Sequence, residues 1–134
     1  MNLDKEIKQR ERNPNLHNWS VMSIIKKDTD RIVEFQKQRD WKQFHLPKNL
    51  AISLCLEAAE VLELFQWTKN HKLHKDKRDL LAEELADVYY YLLLLAHESD
   101  IDIGDAFDKK MILNEKKYPV NKSKGSSKKY TELI

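Results

Sequence analysis

Glu57 and Glu60, and again Glu84 and Asp87, form two pairs of carboxylates with three-residue spacing. Each pair sits in a segment otherwise built of Ile, Leu, Ala, Val and aromatic residues, "ISLCLEAAEVLELFQW" and "RDLLAEELADVYYYLLLLAHE". Residues three apart on a helix differ by about 60° around its axis, so each pair projects from one face and can converge on one ligand. Four carboxylates gathered in a dry interface repel strongly unless protons or a cation neutralise them. A divalent cation meets that need. Oxygen-only donors without cysteine or histidine favour a hard ion, Mg²⁺ first and Mn²⁺ as a substitute, and Mg²⁺ keeps open positions for water and substrate phosphates. The chemistry indicated is therefore phosphate chemistry. Taken singly, such acidic pairs are most often decoration on a solvated face, and it is the apolar surroundings that set these apart. Glu63 and Glu83 extend the acidic rows as solvated or supporting carboxylates. A di-iron bundle would place a histidine three residues after a glutamate on two helices. Here Glu57, Glu60 and Glu84 are followed at that spacing by Glu60, Glu63 and Asp87, which disfavours redox iron.

Other residue types suit a nucleotide. Trp67 stands seven residues beyond Glu60, and Tyr91 seven beyond Glu84, about two helical turns along nearly the same stripe. Trp41 and His45 occupy the loop before the first acidic segment. Aromatic faces stack on nucleobases, although Trp67 and Tyr91 are equally suited to filling a core and a lone histidine is more often a structural hydrogen-bonder. Lys110, Asn114 and Lys117 fall at i, i+4 and i+7 on a later helix. Most such stripes are solvated; facing the carboxylates, this one would hold a polyphosphate.

These groups need helices to position them. With two glycines and three prolines in 134 residues, and Leu, Ala, Glu and Lys abundant, the composition favours long helices, so the fold class expected is all-α. One domain fits the length. Residues 1–19 read as a mobile arm broken by "NPNLHN", and a first helix is expected from Ser20 as N-cap. "DWKQFHLPK" is a loop in which Pro47 makes Leu46 extended. A second helix is expected from Asn49 as N-cap to Thr68, a polar connector over "KNHKLHKDK", and a third helix over residues 78–98. The two acidic helices should pack as an antiparallel hairpin. Asp102 caps a fourth helix that begins at Ile103 and stops before Pro119, closing a domain over residues 20–118. The basic, Ser-rich residues 119–134 read as a flexible tail. Helices two and three are apolar nearly all round, as expected of helices buried by tertiary neighbours or by another subunit.

The charge balance, 24 Lys plus Arg against 22 Asp plus Glu, gives a formal net charge of +2 and no general case for a nucleic-acid partner. The single cysteine, Cys55, forms no intrachain disulfide and suits a reducing cytoplasm. The longest apolar run, Leu92 to Ala96, falls far short of the roughly 20 residues that span a bilayer, and the first residues lack a charged-then-apolar pattern, so neither a membrane anchor nor a leader is expected.

"EAAE" followed after a gap by "ELAD" resembles the MazG-like branch of the all-α nucleoside triphosphate pyrophosphohydrolases, whose pattern is EExxE, a variable gap, then ExxD. "RDWKQFHLPKNL", "ELFQW", "EELADVYYYL", "KMILNEKKYP" and "SSKKYTEL" look like signatures of the dCTP pyrophosphatase group within it. The resemblance runs from about residue 28 onward. It implies a four-helix MazG-like bundle completed by oligomerisation, a tetramer built as a dimer of dimers. It also implies hydrolysis of dCTP, or modified dCTP, between the α and β phosphates to the monophosphate and pyrophosphate. Carried over position by position, it implies Mg²⁺ ligation by Glu57, Glu60, Glu84 and Asp87, a base and sugar pocket at Trp41, His45, Trp67 and Tyr91, and nucleotide contacts from Lys110 and Asn114. Leu56 stands where the common pattern has its leading glutamate, so the general base stays open between Glu57 and Glu63 acting on a metal-bound water. Two other readings stay open: the same fold and metal with dUTP or another nucleoside triphosphate as substrate, and a non-catalytic helical interaction module whose "KSKGSSKK" segment contacts nucleic acid.

Overall fold

The computed structural model describes residues 15–68 and 72–133, with side chains from residue 24 onward. The expected arm up to residue 14 and the head of the polar connector, residues 69–71, lie outside the described residues. The all-α expectation holds: the described residues form five helices and no strand. These are α1 (Asn15–Lys37), α2 (Pro47–Glu63), α3 (Arg78–Glu98), α4 (Ile103–Lys117) and the single-turn α5 (Val120–Ser123). Tight 3₁₀ turns lie at Lys42–Phe44, Lys75–Lys77 and Tyr130–Glu132.

The start of α1 corrects the sequence expectation, because the helix is already formed at Asn15, five residues ahead of Ser20. A proline blocks a helix arriving from its N-terminal side, not one that starts just after it. After Lys37 the chain reverses through Asp40, whose φ of 53° lies in the left-handed region that aspartate tolerates. The 3₁₀ turn that follows closes with Phe44 N–H donating to the Trp41 carbonyl at 2.9 Å.

Both ends of α2 also differ from expectation. Leu46 is extended, as a residue before proline should be, and it serves as the N-cap with Pro47 in the first helical turn. Asn49 is therefore not the cap; its Nδ2 reaches back to the Phe44 carbonyl at 2.9 Å and secures the loop against the helix. The helix stops at Glu63 rather than Thr68. The chain then turns through residues 64–67, and Trp67 adopts a left-handed φ of 66°. By contrast, α3 spans the 78–98 segment as expected. Asp102 caps α4 by accepting from Asp105 N–H at 2.9 Å.

The chain divides into two compact units, Met1–Asp100 and Ile101–Ile134. In the first, α2 packs chiefly on α3, and α1 also packs on α3. Leu50, Leu93, Leu94 and Ala96 form its buried apolar centre. In the second, the residues after Pro119 carry α5 and the last 3₁₀ turn. Tyr130 stands edge-on to Tyr118 at 5.9 Å between ring centroids, with the Lys117 ammonium 4.8 Å from its ring centre.

Candidate functional site

The pairing of α2 with α3 brings the two acidic rows together. The charge of Glu57 acts on Tyr91, that of Asp87 acts on Glu57, and that of Glu60 acts on Glu84. As α2 advances from residue 57 to 60, its partners on α3 recede from 91 and 87 to 84, so the helices run antiparallel. One carboxylate oxygen from each of Glu57, Glu60 and Glu84 lies within 4.8 Å of the others. Glu57 and Glu84 are half-buried and Glu60 is exposed.

Repulsion is visible in the acidities. Burial raises the Glu57 carboxyl above the usual carboxylate range, and the charges of Glu60, Asp87 and Glu84 raise it further. Glu84 is raised by burial first, then by the neighbouring charges of Glu60 and Asp87. Carboxylates that raise one another's pKa by mutual repulsion are ones whose charge a cation can neutralise. All donors are carboxylate oxygens, which fits a hard divalent ion. Asp87 lies outside the tight cluster, though its charge acts on Glu57 and Glu84. Glu63 is exposed and also outside it.

A run of aromatic rings leads away from the carboxylates. Tyr91 is half-buried beside Glu57, and both burial and that carboxylate raise its phenol pKa. Tyr90 stands edge-on to Tyr91 at 5.1 Å, Phe35 to Tyr90 at 6.4 Å, Trp41 to Phe35 at 5.8 Å, and His45 to Trp41 at 6.0 Å. The Arg39 guanidinium lies 3.6 Å above the Phe35 ring centre and donates from Nη1 to the Phe35 carbonyl. His45 Nδ1 is buried without a hydrogen-bond partner among the described residues. Trp41 is 41% exposed and presents ring surface to solvent.

Not every candidate joins this group. Trp67 is 89% exposed, and because α2 ends at Glu63 it does not continue the Glu60 stripe as helical spacing suggested. Lys110, Asn114 and Lys117 lie on α4, in the second unit, with Asn114 half-buried and both lysines exposed. Sequence reasoning missed Phe35, Gln36 and Tyr90. Phe35 carried a signal as the last apolar residue of the α1 pattern, immediately before the loop aromatics.

Residues 52–133, which include all four acidic candidates, match the MazG-like family. The chain belongs to the MazG-like family. Among curated MazG-like relatives, dCTP pyrophosphatase 1 of Rattus norvegicus is 43% identical over 105 residues, covering 75% of this chain and 62% of the rat protein. The Homo sapiens protein of that name is 42% identical over the same coverage. The chain thus spans 62% of the length of these relatives. Among solved structures, a pyrophosphatase from Archaeoglobus fulgidus is 42% identical with a TM-score of 0.59, covering 67% of this chain and 87% of that one. The MazG-like match leaves out Trp41 and His45, which precede residue 52.

Proposed function

We propose that this chain hydrolyses nucleoside triphosphates, dCTP and modified dCTP foremost, to the monophosphate and pyrophosphate with the help of Mg²⁺. The observation that carries the reading is the carboxylate cluster of Glu57, Glu60 and Glu84, drawn from two antiparallel helices within 4.8 Å. The dCTP preference draws on the names of the relatives, dCTP pyrophosphatase 1.

In this reading Glu57, Glu60 and Glu84 hold the ion, with Asp87 as the fourth carboxylate. Bound there, Mg²⁺, or Mn²⁺ in its place, supplies positive charge that orients the triphosphate and stabilises the leaving pyrophosphate. The carboxylates then serve two ends. Those turned toward the ion lose their mutual repulsion, and one with a free oxygen aligns a water for in-line attack on the α-phosphorus. Glu57, half-buried within the cluster, suits this role better than the exposed Glu63. Tyr91, beside Glu57, supplies a hydroxyl at the junction between phosphate and base ends. Trp41 offers a stacking face, and His45, edge-on to Trp41 at 6.0 Å, is proposed to line the base and sugar end with it. Lys110, Asn114 and Lys117 are proposed to contact the phosphates, and Trp67 to close the base end of the site.

Exposed apolar residues on α2 and α3 support a homo-oligomer, a dimer of dimers, in which Trp67 and other side chains are covered by a second copy. We place the reaction in the cytoplasm, where a lone exposed Cys55 stays reduced. No helix among the described residues is long and apolar enough to cross a membrane.

The test is incubation with dCTP and Mg²⁺, followed by assay for dCMP and pyrophosphate. Glu60→Gln should abolish metal-dependent pyrophosphate release while leaving helix content intact. Full activity in that variant would sink the site assignment. Comparing rates across the eight common nucleotides decides between dCTP and dUTP or another triphosphate.

A further inference from the structure

Gln36 has no role in the chemistry above, yet it is 3% exposed and is the one buried polar residue among those described. It sits in the last turn of α1. Its main-chain carbonyl accepts from Arg39 N–H and from Trp41 N–H, each at 3.1 Å. Its side-chain Nε2 donates to the Tyr90 hydroxyl at 3.2 Å. One residue therefore joins the end of α1, the Trp41 segment and the acidic helix α3. Phe35 braces the same frame, edge-on to both Trp41 and Tyr90. From Tyr90 the contacts continue to Tyr91, which lies near the Glu57 carboxylate.

Packing does not call for an amide at this position. A methionine would fill a similar volume without the cost of desolvating a polar group. What the amide adds is direction: it fixes one hydroxyl on α3 relative to the loop. We infer that the Gln36–Tyr90 hydrogen bond is a positioning latch that holds the Trp41 segment in place against the carboxylate helix and thereby sets nucleotide affinity. The affinity half rests on the pyrophosphohydrolase reading; the ordering of the segment rests on geometry alone.

A single net hydrogen bond shifts a conformational equilibrium by about two- to tenfold. Losing it lowers the binding-competent fraction, and apparent affinity falls by the same factor. Turnover from the bound complex is untouched, so the loss enters KM and not kcat.

The experiment uses the full chain with Gln36→Met and Tyr90→Phe, singly and together. Gln36→Met keeps the main-chain carbonyl and removes only the side-chain bond. Each single variant should raise KM for dCTP by about two- to tenfold with kcat within about twofold. The double variant should be no worse than either single, because both delete the same bond. Tyr89→Phe is the control: it removes the bond from Tyr89 to Asp28 Oδ2, 3.2 Å, also between α1 and α3. It should leave KM unchanged. Amide exchange over residues 38–46, measured without nucleotide, should quicken in Gln36→Met and Tyr90→Phe but not in Tyr89→Phe. Unchanged exchange in both latch variants, or additive effects in the double variant, overturns the latch. Faster exchange with unchanged KM overturns its link to affinity, and a fall in kcat with unchanged KM does the same. A wild-type chain that releases no pyrophosphate defeats the proposed function instead, and the exchange measurement still decides the latch.

Discussion

Glu57 and Glu84 both have pKa values raised above the ordinary carboxylate value of 4.5, by burial and by neighbouring charge. A carboxyl whose folded pKa is raised favours the fold in its protonated form. Its contribution is fully present below the unfolded pKa and is lost as pH rises through the raised folded value. The metal-free protein should therefore lose thermal stability from about pH 4.5 toward neutrality on account of these groups, and Mg²⁺ should restore it most at neutral pH. Melting curves across that range, with and without Mg²⁺, check this. Glu84→Gln should flatten the metal-free slope, whereas a slope equal to that of the wild type would place its origin elsewhere. The three clustered carboxylates, Glu57, Glu60 and Glu84, stood out in the sequence because of the apolar runs around them, whereas Asp87, singled out with them, lies outside the cluster. Gln36 and Tyr90 did not stand out. A glutamine near a helix end reads as solvent-facing, and a tyrosine within "VYYYLLLL" reads as core. Their meaning comes from a contact across 54 positions of sequence, which no local pattern encodes.

At the level of elements, what sequence could locate depended on whether a helix end carries its own chemical stop. The start of α4 was readable because Asp102 supplies a side-chain acceptor for Asp105 N–H. At α2 the decisive residue was Pro47 in the first turn, not the amide of Asn49, and the latter was spent on the Phe44 carbonyl. The end of α2 was hidden for a different reason. Apolar periodicity continues through Leu64 and Phe65, while the backbone tightens into turns with Phe65 N–H donating to the Leu62 carbonyl at 3.1 Å. Hydrophobic spacing reports which residues seek cover, not where the hydrogen-bond pattern changes. The helix that anchors the first unit is α3, since Leu93, Leu94 and Ala96 are buried there and both α1 and α2 pack on it. Leu94 is 0% exposed, so Leu94→Ala should cost about 2–5 kcal/mol in urea unfolding. A loss below about 1 kcal/mol would mean that the site collapses onto the smaller side chain and that the buried centre is not tightly packed.

At the scale of the whole molecule, the apolar surface of the first unit exceeds what one copy covers. On α2, Ile52, Leu56 and Leu62 are 50%, 58% and 72% exposed, with Ala59 also exposed between them. On α3, Leu85, Tyr89 and Leu92 follow helical spacing and are 50%, 39% and 36% exposed. Helices apolar nearly all round were legible in sequence as buried helices, but sequence could not say whether the same chain or another supplies the cover. The fold answers for one side only: α2 and α3 cover each other along the acidic row, and these stripes remain outside that contact. Stripes of this kind fit the interface of an obligate oligomer, in which isologous contact buries the same patch on both copies. The proposed homo-oligomer therefore predicts that the wild-type chain sediments well above the mass of one copy. Leu56→Arg with Leu85→Arg should shift it toward the monomer, because an unpaired guanidinium in a desolvated apolar contact is costly. In the proposed oligomer the second copy would also shield the helices that carry Glu57, Glu60 and Glu84, so pyrophosphate release should fall together with the oligomer and not merely with total fold content. A wild-type chain that sediments as a single copy at micromolar concentration while releasing pyrophosphate would overturn the oligomer and make these stripes ordinary surface.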